Sequence, residues 1–514
     1  MLQIKHLTMK HLYNFTTLIE DVSFVVNPRD KLAIIGEEGN GKSTLLRYIL
    51  NDPNIRNYLE INGQMTNHFQ HIGYLPQLLD SSQLTMSVES FFATSLDYAN
   101  IDYNLLYQLG SQLNFDVDRL YSQQTMGSLS GGERIKVQLI KLLIQDHDLL
   151  LLDEPSNDLD IETLQWLENF IRQANAAVIF ISHDERLLDK AATSILHLEL
   201  IKHKQLPRAS YVPLNYQDFM EQRRTQFNHQ MQIALKQREE HAKKLERQHR
   251  IEQSVTHQLR ATRLDTAGRL LAKKMQAVKS TSKRLNREKD TFEEIPIQED
   301  AMNIEFSNTL PVASSKPILS LYNESLTIHD KQLAKNLSLT VNANEKVGII
   351  GQNGIGKSSF LKYIHHILKD VQLMNVGYMP QNYEDSLDAN NTPVQFLTQS
   401  GSSEEHTQIM TYLGSMRFLP EEMDQPIQNL SGGQRAKLLL VKFDLQAQNI
   451  LLLDEPTRNF SPTSQSQIRQ VFQRFPGTLI AVSHDRLFLK EVCSRIVELT
   501  PTGFVALTLD ELGD

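Results

Sequence analysis

Gly36-Glu37-Glu38-Gly39-Asn40-Gly41-Lys42-Ser43 follows the apolar run Leu32–Ile35 and leads into the helical pattern Thr44–Leu50. Glycines 36, 39 and 41 free the backbone to close around an anion, and the start of the following helix adds N–H groups and partial positive charge. In such a loop Lys42 would reach the β- and γ-phosphates of a nucleotide, and Ser43, followed by Thr44, would ligate Mg²⁺. The second half of the chain repeats the arrangement. Gly351-Gln352-Asn353-Gly354-Ile355-Gly356-Lys357-Ser358, followed by Ser359, again joins a short apolar strand (Val347–Ile350) to a helical stretch. A single such loop could be a glycine-rich turn. Two copies in one strand–loop–helix context argue for a duplicated phosphate-binding domain.

Moving outward, each copy carries an aliphatic run ending in two acids, Leu149–Pro155 (LLLLDEP) and Ile450–Pro456 (ILLLDEP). An unbroken apolar run of this length reads as a buried parallel strand. Asp153 and Asp454 at the strand ends would hold Mg²⁺, and Glu154 and Glu455 could orient or deprotonate an attacking water. Between loop and acids lie Leu129-Ser130-Gly131-Gly132-Glu133 and Leu430-Ser431-Gly432-Gly433-Gln434, each a second anion-seeking helix start. These two pairs of motifs resemble the signature of ATP-binding-cassette ATPases. Spacing supports duplication: Ser130–Asp153 and Ser431–Asp454 are both 23 apart, and Glu154–His183 and Glu455–His484 are both 29 apart. Both histidines follow a strand in a Ser-His-Asp context. The resemblance assigns His183 and His484 to γ-phosphate sensing. It makes Gln77 and Gln381, which close Gly-Tyr-Leu-Pro-Gln and Gly-Tyr-Met-Pro-Gln, Mg²⁺-contacting catalytic-loop glutamines.

The copies also differ. Lys42 to Gln77 spans 35 residues and Lys357 to Gln381 only 24, so the first copy has extra chain around Asn51–Phe69, either a contact surface or a neutral insertion. After the acids the first copy reads Ser156-Asn157-Asp158-Leu159-Asp160 and the second Thr457-Arg458-Asn459-Phe460-Ser461-Pro462. Cassette proteins usually end this loop in Asp. Asp160 fits and Ser461 does not, which predicts two chemically unequal ATP sites. Tyr13 is a candidate for stacking on adenine in the first copy, and Trp166 reads as core.

The chain has 514 residues, a formal charge of −9 and a single cysteine, Cys493. That excludes an intrachain disulfide and a cysteine-built zinc site. Its longest aliphatic runs have four residues, against ~20 for a membrane helix. With no signal-peptide pattern at the start, a cytoplasmic location is expected. The charge is unevenly spread. Glu221–Asp290 holds 18 basic and 8 acidic side chains, a net of +10, which leaves −19 on the rest. This segment has one glycine, Gly268, no proline, and mostly helix-forming residues. It reads as two long helices, near Asn215–Arg250 and Asp265–Lys289, with a turn or irregular tip at Ser254–Arg263. A basic stem whose tip carries Val255, Leu259, Arg260 and Arg263 suits contact with phosphate backbones, although such charge runs are often only solvated surface.

The expected fold is α/β: two P-loop cassette domains in tandem, residues 1–205 and 301–514, joined by a basic helical hairpin at 206–300. This plan resembles the ABC-F family of ribosome-associated ATPases over essentially the whole chain, and Asp454–Pro462 (DEPTRNFSP) resembles its antibiotic-resistance branch. The resemblance implies ATP and Mg²⁺ as ligands and a monomer whose cassettes pair head-to-tail within one chain. One composite site would combine Lys42, Ser43, Gln77, Asp153, Glu154 and His183 with Ser431 and Gly433. The other would combine Lys357, Ser358, Gln381, Asp454, Glu455 and His484 with Ser130 and Gly132. It further implies binding at the ribosomal tRNA-exit site, with the hairpin directed at peptidyl-tRNA and large-subunit rRNA near the peptidyl-transferase centre. There it would displace a bound drug, and hydrolysis would drive release. A housekeeping translation factor of the same family, the ATPase of a membrane transporter and a DNA-repair cassette protein are the competing readings.

Overall fold

In the computed structural model the described residues are 1–94, 101–201, 206–261, 265–288, 292, 302, 304–306, 309, 317–328, 331–371 and 374–508. The chain divides into two compact units, Met1–Tyr216 with Glu299–Asp514, and Gln217–Gln298.

The first cassette runs β1 (Leu2–His11), β2 (Thr17–Val26), β3 (Lys31–Gly36), α1 (Lys42–Ile49), β4 (Leu59–Asn67), β5 (Ile72–Leu75), α2 (Ser81–Thr85), α3 (Val88–Ala93), α4 (Tyr103–Gln112), α5 (Gly131–Leu143), β6 (Leu149–Asp153), α6 (Ile161–Gln173), β7 (Ala177–Ile181), α7 (Glu185–Ala191), β8 (Ser194–Ile201) and β9 (Leu206–Val212). Its main sheet has the order β5-β6-β7-β3-β8-β9. Five strands are parallel and β9 is an antiparallel edge. β3, β6 and β7 are buried throughout, as strands covered on both faces must be. A second, antiparallel sheet β2-β1-β4 lies beside it. Ile4, Leu7 and Phe24 from that sheet share one core with Leu32, Leu45 and Leu151.

The arm consists of α8 (Tyr216–Ala261) and α9 (Asp265–Glu288). The second cassette follows with β10 (Pro317–Ile328), β11 (Lys331–Asn342), β12 (Lys346–Ile350), α10 (Lys357–Leu368), β13 (Val376–Met379), α11 (Pro393–Leu397), α12 (Ser403–Ser415), α13 (Pro420–Asp424), α14 (Gly432–Leu445), β14 (Ile450–Asp454), α15 (Pro462–Arg474), β15 (Thr478–Val482), α16 (Arg486–Val492), β16 (Arg495–Thr500) and β17 (Gly503–Leu507). Its sheet order, β13-β14-β15-β12-β16-β17, matches the first strand for strand.

Two boundaries need correction, at the end of the first cassette and at the end of the first arm helix. The first cassette does not end at residue 205, because β9 pairs with β8 from Ile195↔Val212 to Ile201↔Leu206 and closes its sheet. The extra chain at Asn51–Phe69 contains a 3₁₀ turn at Pro53–Asn57 and a third strand, β4, which pairs with β1 from Leu2↔Asn67 to His11↔Leu59. Among the described residues the second cassette has no counterpart to it. The first arm helix does not stop near Arg250. It continues to Ala261, as expected where neither proline nor glycine interrupts it.

The arm is an antiparallel coiled coil. Ala234, His241, Gln248 and Val255 recur every seven residues on α8, and Val278 and Leu285 on α9, all buried except the half-buried Gln248. Two seam positions are polar and bind the opposing backbone. His241 Nε2 lies 2.7 Å from Leu285 O, and Gln248 Nε2 donates to Val278 O at 2.8 Å. Val255, expected at an exposed tip, is 1% exposed and belongs to this seam. Leu259 and the exposed Arg260 also lie on α8, and Arg263 falls outside the described residues.

Candidate ATP sites

The phosphate loops form because each glycine meets a local demand. A Cβ at Gly36 would come within 2.1 Å of Leu198 O, and one at Gly351 within 2.6 Å of Leu499 O. Gly41 (φ 82°) and Gly356 (φ 101°) hold the left-handed turn that starts α1 and α10. Neither helix has a side-chain cap, so its first N–H groups stay available to phosphate. Lys42 Nζ folds onto Gly36 O (2.6 Å) and Glu37 O (2.8 Å). Lys357 Nζ does the same with Gly351 O (2.7 Å) and Gln352 O (3.1 Å). Burial lowers both lysines, while Glu154 and Glu455 beside them act the other way.

Ser43 Oγ donates to Asp153 Oδ1 at 3.1 Å, joining loop and strand end. Burial pushes Asp153 up to about 6 against that bond, and Asp454, bonded to Ser358, rises for the same reason. A serine hydroxyl and a carboxylate side by side are hard oxygen donors, as Mg²⁺ requires, with phosphate and water left to complete its shell.

The signature helices are capped by their own serines. Ser130 Oγ accepts from Glu133 N–H (3.3 Å), and Ser431 Oγ accepts from Gln434 N–H (3.3 Å). The two cassettes then meet head-to-tail. A cavity of about 790 Å³ is lined by Gly354, Gly356, Lys357, Ser358, Ser359, Gln381, Asp454, Glu455 and His484, together with Ser130, Gly131 and Gly132 of the other cassette. A second, of about 430 Å³, is lined by Gly39, Gly41, Lys42, Ser43, Thr44, Gln77, Asp153, Glu154 and His183. Ser431 and Gly433 do not line it. Gly432 N–H instead donates to the Glu38 carboxylate at 2.6 Å. Tyr13 is 81% exposed and lines neither cavity, whereas His11 and Leu18 line the smaller one. Trp166 is half-buried, donates to Gln112 Oε1 (2.9 Å) and stacks on Phe170.

The sites differ in electrostatics. His183 Nε2 lies 3.0 Å from Glu154 Oε1, and His183 Nδ1 lies 3.1 Å from Phe460 O across the interface. Burial pushes Glu154 up, but His183 and Lys42 outweigh it and hold the carboxyl below its usual range. In the other site His484 Nε2 stands 3.7 Å from Glu455, and its buried Nδ1 has no hydrogen-bond partner among the described residues. Burial and the adjacent Asp454 push Glu455 up to about 7, while burial and Lys357 push His484 down to about 3. Asp160 caps α6 through Thr163 N–H (2.9 Å) and approaches Lys136, whereas the Ser461 hydroxyl lies against the Thr463 and Ser464 hydroxyls and makes no side-chain cap of α15.

Sequence reasoning missed how the cassettes are bridged through Asp158. Arg458 Nη1 pairs with Asp158 Oδ1 at 2.7 Å, Gln381 donates to the same oxygen at 3.3 Å, and Asn353 donates to Asp158 O. Arg458 lines both cavities. The available signal was the contrast of Asn157 with Arg458 and of Glu38 with Asn353 at matching positions.

Two phosphate loops, each with acids, a histidine and a signature helix from the opposite half, define a tandem ATP-binding-cassette ATPase. A profile of the family described as ABC transporter matches residues 19–157 and 334–458. The chain is 30% identical over 510 residues to the ribosome protection protein VmlR of Bacillus subtilis, covering 95% of this chain and 85% of that protein. It is 27% identical over 543 residues to ABC transporter F family member 5 of Arabidopsis thaliana, covering 96% and 75%. The archaeal ribosome recycling factor aABCE1, solved in complex with the ribosomal stalk protein aP1, shares the fold at a TM-score of 0.60 and 16% identity, covering 98% of this chain and 90% of that one. The chain belongs to the ABC-F family of ATP-binding-cassette ATPases.

Proposed function

We propose that this chain is a ribosome-binding ATPase that protects the ribosome from antibiotics. ATP, with Mg²⁺ held at Ser43, Gln77 and Asp153 and at Ser358, Gln381 and Asp454, would close the two cassettes. The closed form would enter the tRNA-exit site and direct the basic arm to peptidyl-tRNA and large-subunit rRNA near the peptidyl-transferase centre, displacing drug. Hydrolysis, with Glu154 and Glu455 acting on water, would open the clamp and release the protein. The observation that carries this reading is the pairing of a head-to-tail cassette interface with a largely helical segment, Glu221–Asp290, of net charge +10. The 30% identity to a ribosome protection protein supports it. No helix among the described residues is long and apolar enough to cross a membrane. A monomer acting in the cytoplasm fits the same reading.

The test uses the full chain with Glu154→Gln and Glu455→Gln combined, sedimented with ribosomes in ATP, beside drug susceptibility of cells carrying wild type. Co-sedimentation with raised resistance is expected. Absence of co-sedimentation would overturn ribosome binding. Co-sedimentation without a change in susceptibility would favour a housekeeping translation factor.

A further inference from the structure

Away from the ATP sites, two buried ion pairs cross the cassette interface. Arg486, the first residue of α16, pairs with Glu168 on α6. Arg469 on α15 pairs with Glu185, the first residue of α7, at 3.1 Å, and also meets Glu491 of its own cassette at 2.9 Å. The four side chains of the crossing pairs are 2–12% exposed. Glu154 and Glu455 are 301 residues apart, as are His183 and His484. The same interval takes Glu168 to Arg469 and Glu185 to Arg486. The two pairs are therefore one contact repeated by the internal duplication. The first cassette supplies glutamate at both positions and the second supplies arginine at both.

Stabilisation is a weak explanation for this arrangement. Burial pushes the Glu185 carboxyl up to about 7 even beside Arg469. Burial likewise lowers Arg486 to about 10. Buried pairs of this kind often contribute less than apolar side chains of the same size. They do discriminate. Pairing of two first cassettes from separate chains would bury glutamate against glutamate, and pairing of two second cassettes would bury arginine against arginine. Like charges so placed disfavour association strongly.

We propose that Glu168, Glu185, Arg469 and Arg486 form a complementary charge code that makes the closing face of each cassette accept the unlike cassette and refuse its own kind. The arm then favours the unlike cassette of the same chain through its high effective concentration. The code concerns closure alone and is independent of ribosome binding.

The test uses full-length chains carrying Glu168→Arg with Glu185→Arg, Arg469→Glu with Arg486→Glu, or all four changes. ATP turnover, sedimentation mass in ATP and melting temperature are read for each. Each two-residue variant should lose more than about tenfold in turnover, and the four-residue variant should recover to within about threefold of wild type. An equimolar mixture of the two-residue variants should regain turnover as a species of twice the chain mass. Two-residue variants keeping half of wild-type turnover would overturn the proposal. So would a folded four-residue variant no more active than they are. If the four-residue variant does not fold, Glu168→Arg with Arg486→Glu decides, and no recovery over Glu168→Arg alone would overturn the code.

Discussion

The Glu38 carboxylate accepts a 2.6 Å hydrogen bond from the backbone N–H of Gly432, at the start of the second cassette's signature helix. An acid of one phosphate loop thus occupies the anion-seeking end of a helix from the opposite cassette. At the matching place in the other loop stands Asn353, which donates to Asp158 O instead.

Glu38 and a nucleotide phosphate are both anions drawn to the same helix end. Glu38→Gln removes the charge but keeps an acceptor. An anion beside a helix start contributes about 0.3–1 kcal/mol, so the KM for ATP should fall about two- to fivefold. An unchanged or higher KM in steady-state ATPase assays would show that Glu38 does not compete.

Glu154 is held ionised beside His183, whereas burial and Asp454 raise Glu455 to about 7. A base must be ionised to act, so Glu154 is the better placed at neutral pH. Glu154→Gln should cost more turnover than Glu455→Gln, and the double change should cost about 10²–10⁴-fold. Equal losses in single-variant assays would contradict unequal sites.

Arg458 reaches both cavities and pairs with Asp158 at 2.7 Å. Arg458→Asn copies the first cassette's Asn157 and deletes that partly exposed pair, at a cost of up to about 1 kcal/mol. Nucleotide titration of the Glu154→Gln/Glu455→Gln chain should show weaker ATP binding, by up to about fivefold. Loss at one site alone would argue against a shared role.

Glu185 has a carboxyl raised from an ordinary 4.5 to about 7 by burial, with Arg469 opposing. An acid whose pKa is higher in the folded state takes up a proton on folding. Its favourable linkage is complete below about 4.5 and is lost as pH rises to about 7. Relative to Glu185→Gln, wild type should therefore lose stability between pH 5 and pH 8, on the order of 2 kcal/mol. Parallel melting curves of the two proteins against pH would contradict this.

Val255 is sealed in the arm's seam and Arg260 is exposed on the same helix. Val255→Asp buries an unpaired charge and should loosen the hairpin, read as faster protease cleavage within Gln217–Gln298. Arg260→Glu should leave cleavage unchanged and weaken ribosome co-sedimentation, because it alters only surface charge. Equal protease sensitivity of the two variants would place Val255 outside a load-carrying seam.

The parts of this molecule legible from sequence are those set within a short stretch of chain. Gly41 and Gly356 announce their left-handed turns, and Leu149–Asp153 announces a buried parallel strand, because local sterics and burial decide both. The resemblance to cassette ATPases pairs Lys357 with Ser130, and the larger cavity contains both. The contacts of Arg458 with Asp158 and of Glu38 with Gly432 were hidden. They join residues 300 and 394 positions apart and exist only once two folded surfaces dock. The arm was half legible. Composition predicts two helices, but Val255 reads as part of the tip, and its burial in the structure, seven residues beyond Gln248, places it in the seam.

That seven-residue spacing quantises the arm's reach. His241 at Leu285 O and Gln248 at Val278 O fix how α8 and α9 slide against each other. Deleting one heptad from both helices keeps these partners in phase and shortens the hairpin by about 10 Å at 1.5 Å per residue. Deleting from one helix alone, or in another step, turns the far end to a new azimuth. Length and aim are thus separable quantities in this arm, and a series of matched heptad deletions would vary its reach while holding its orientation constant.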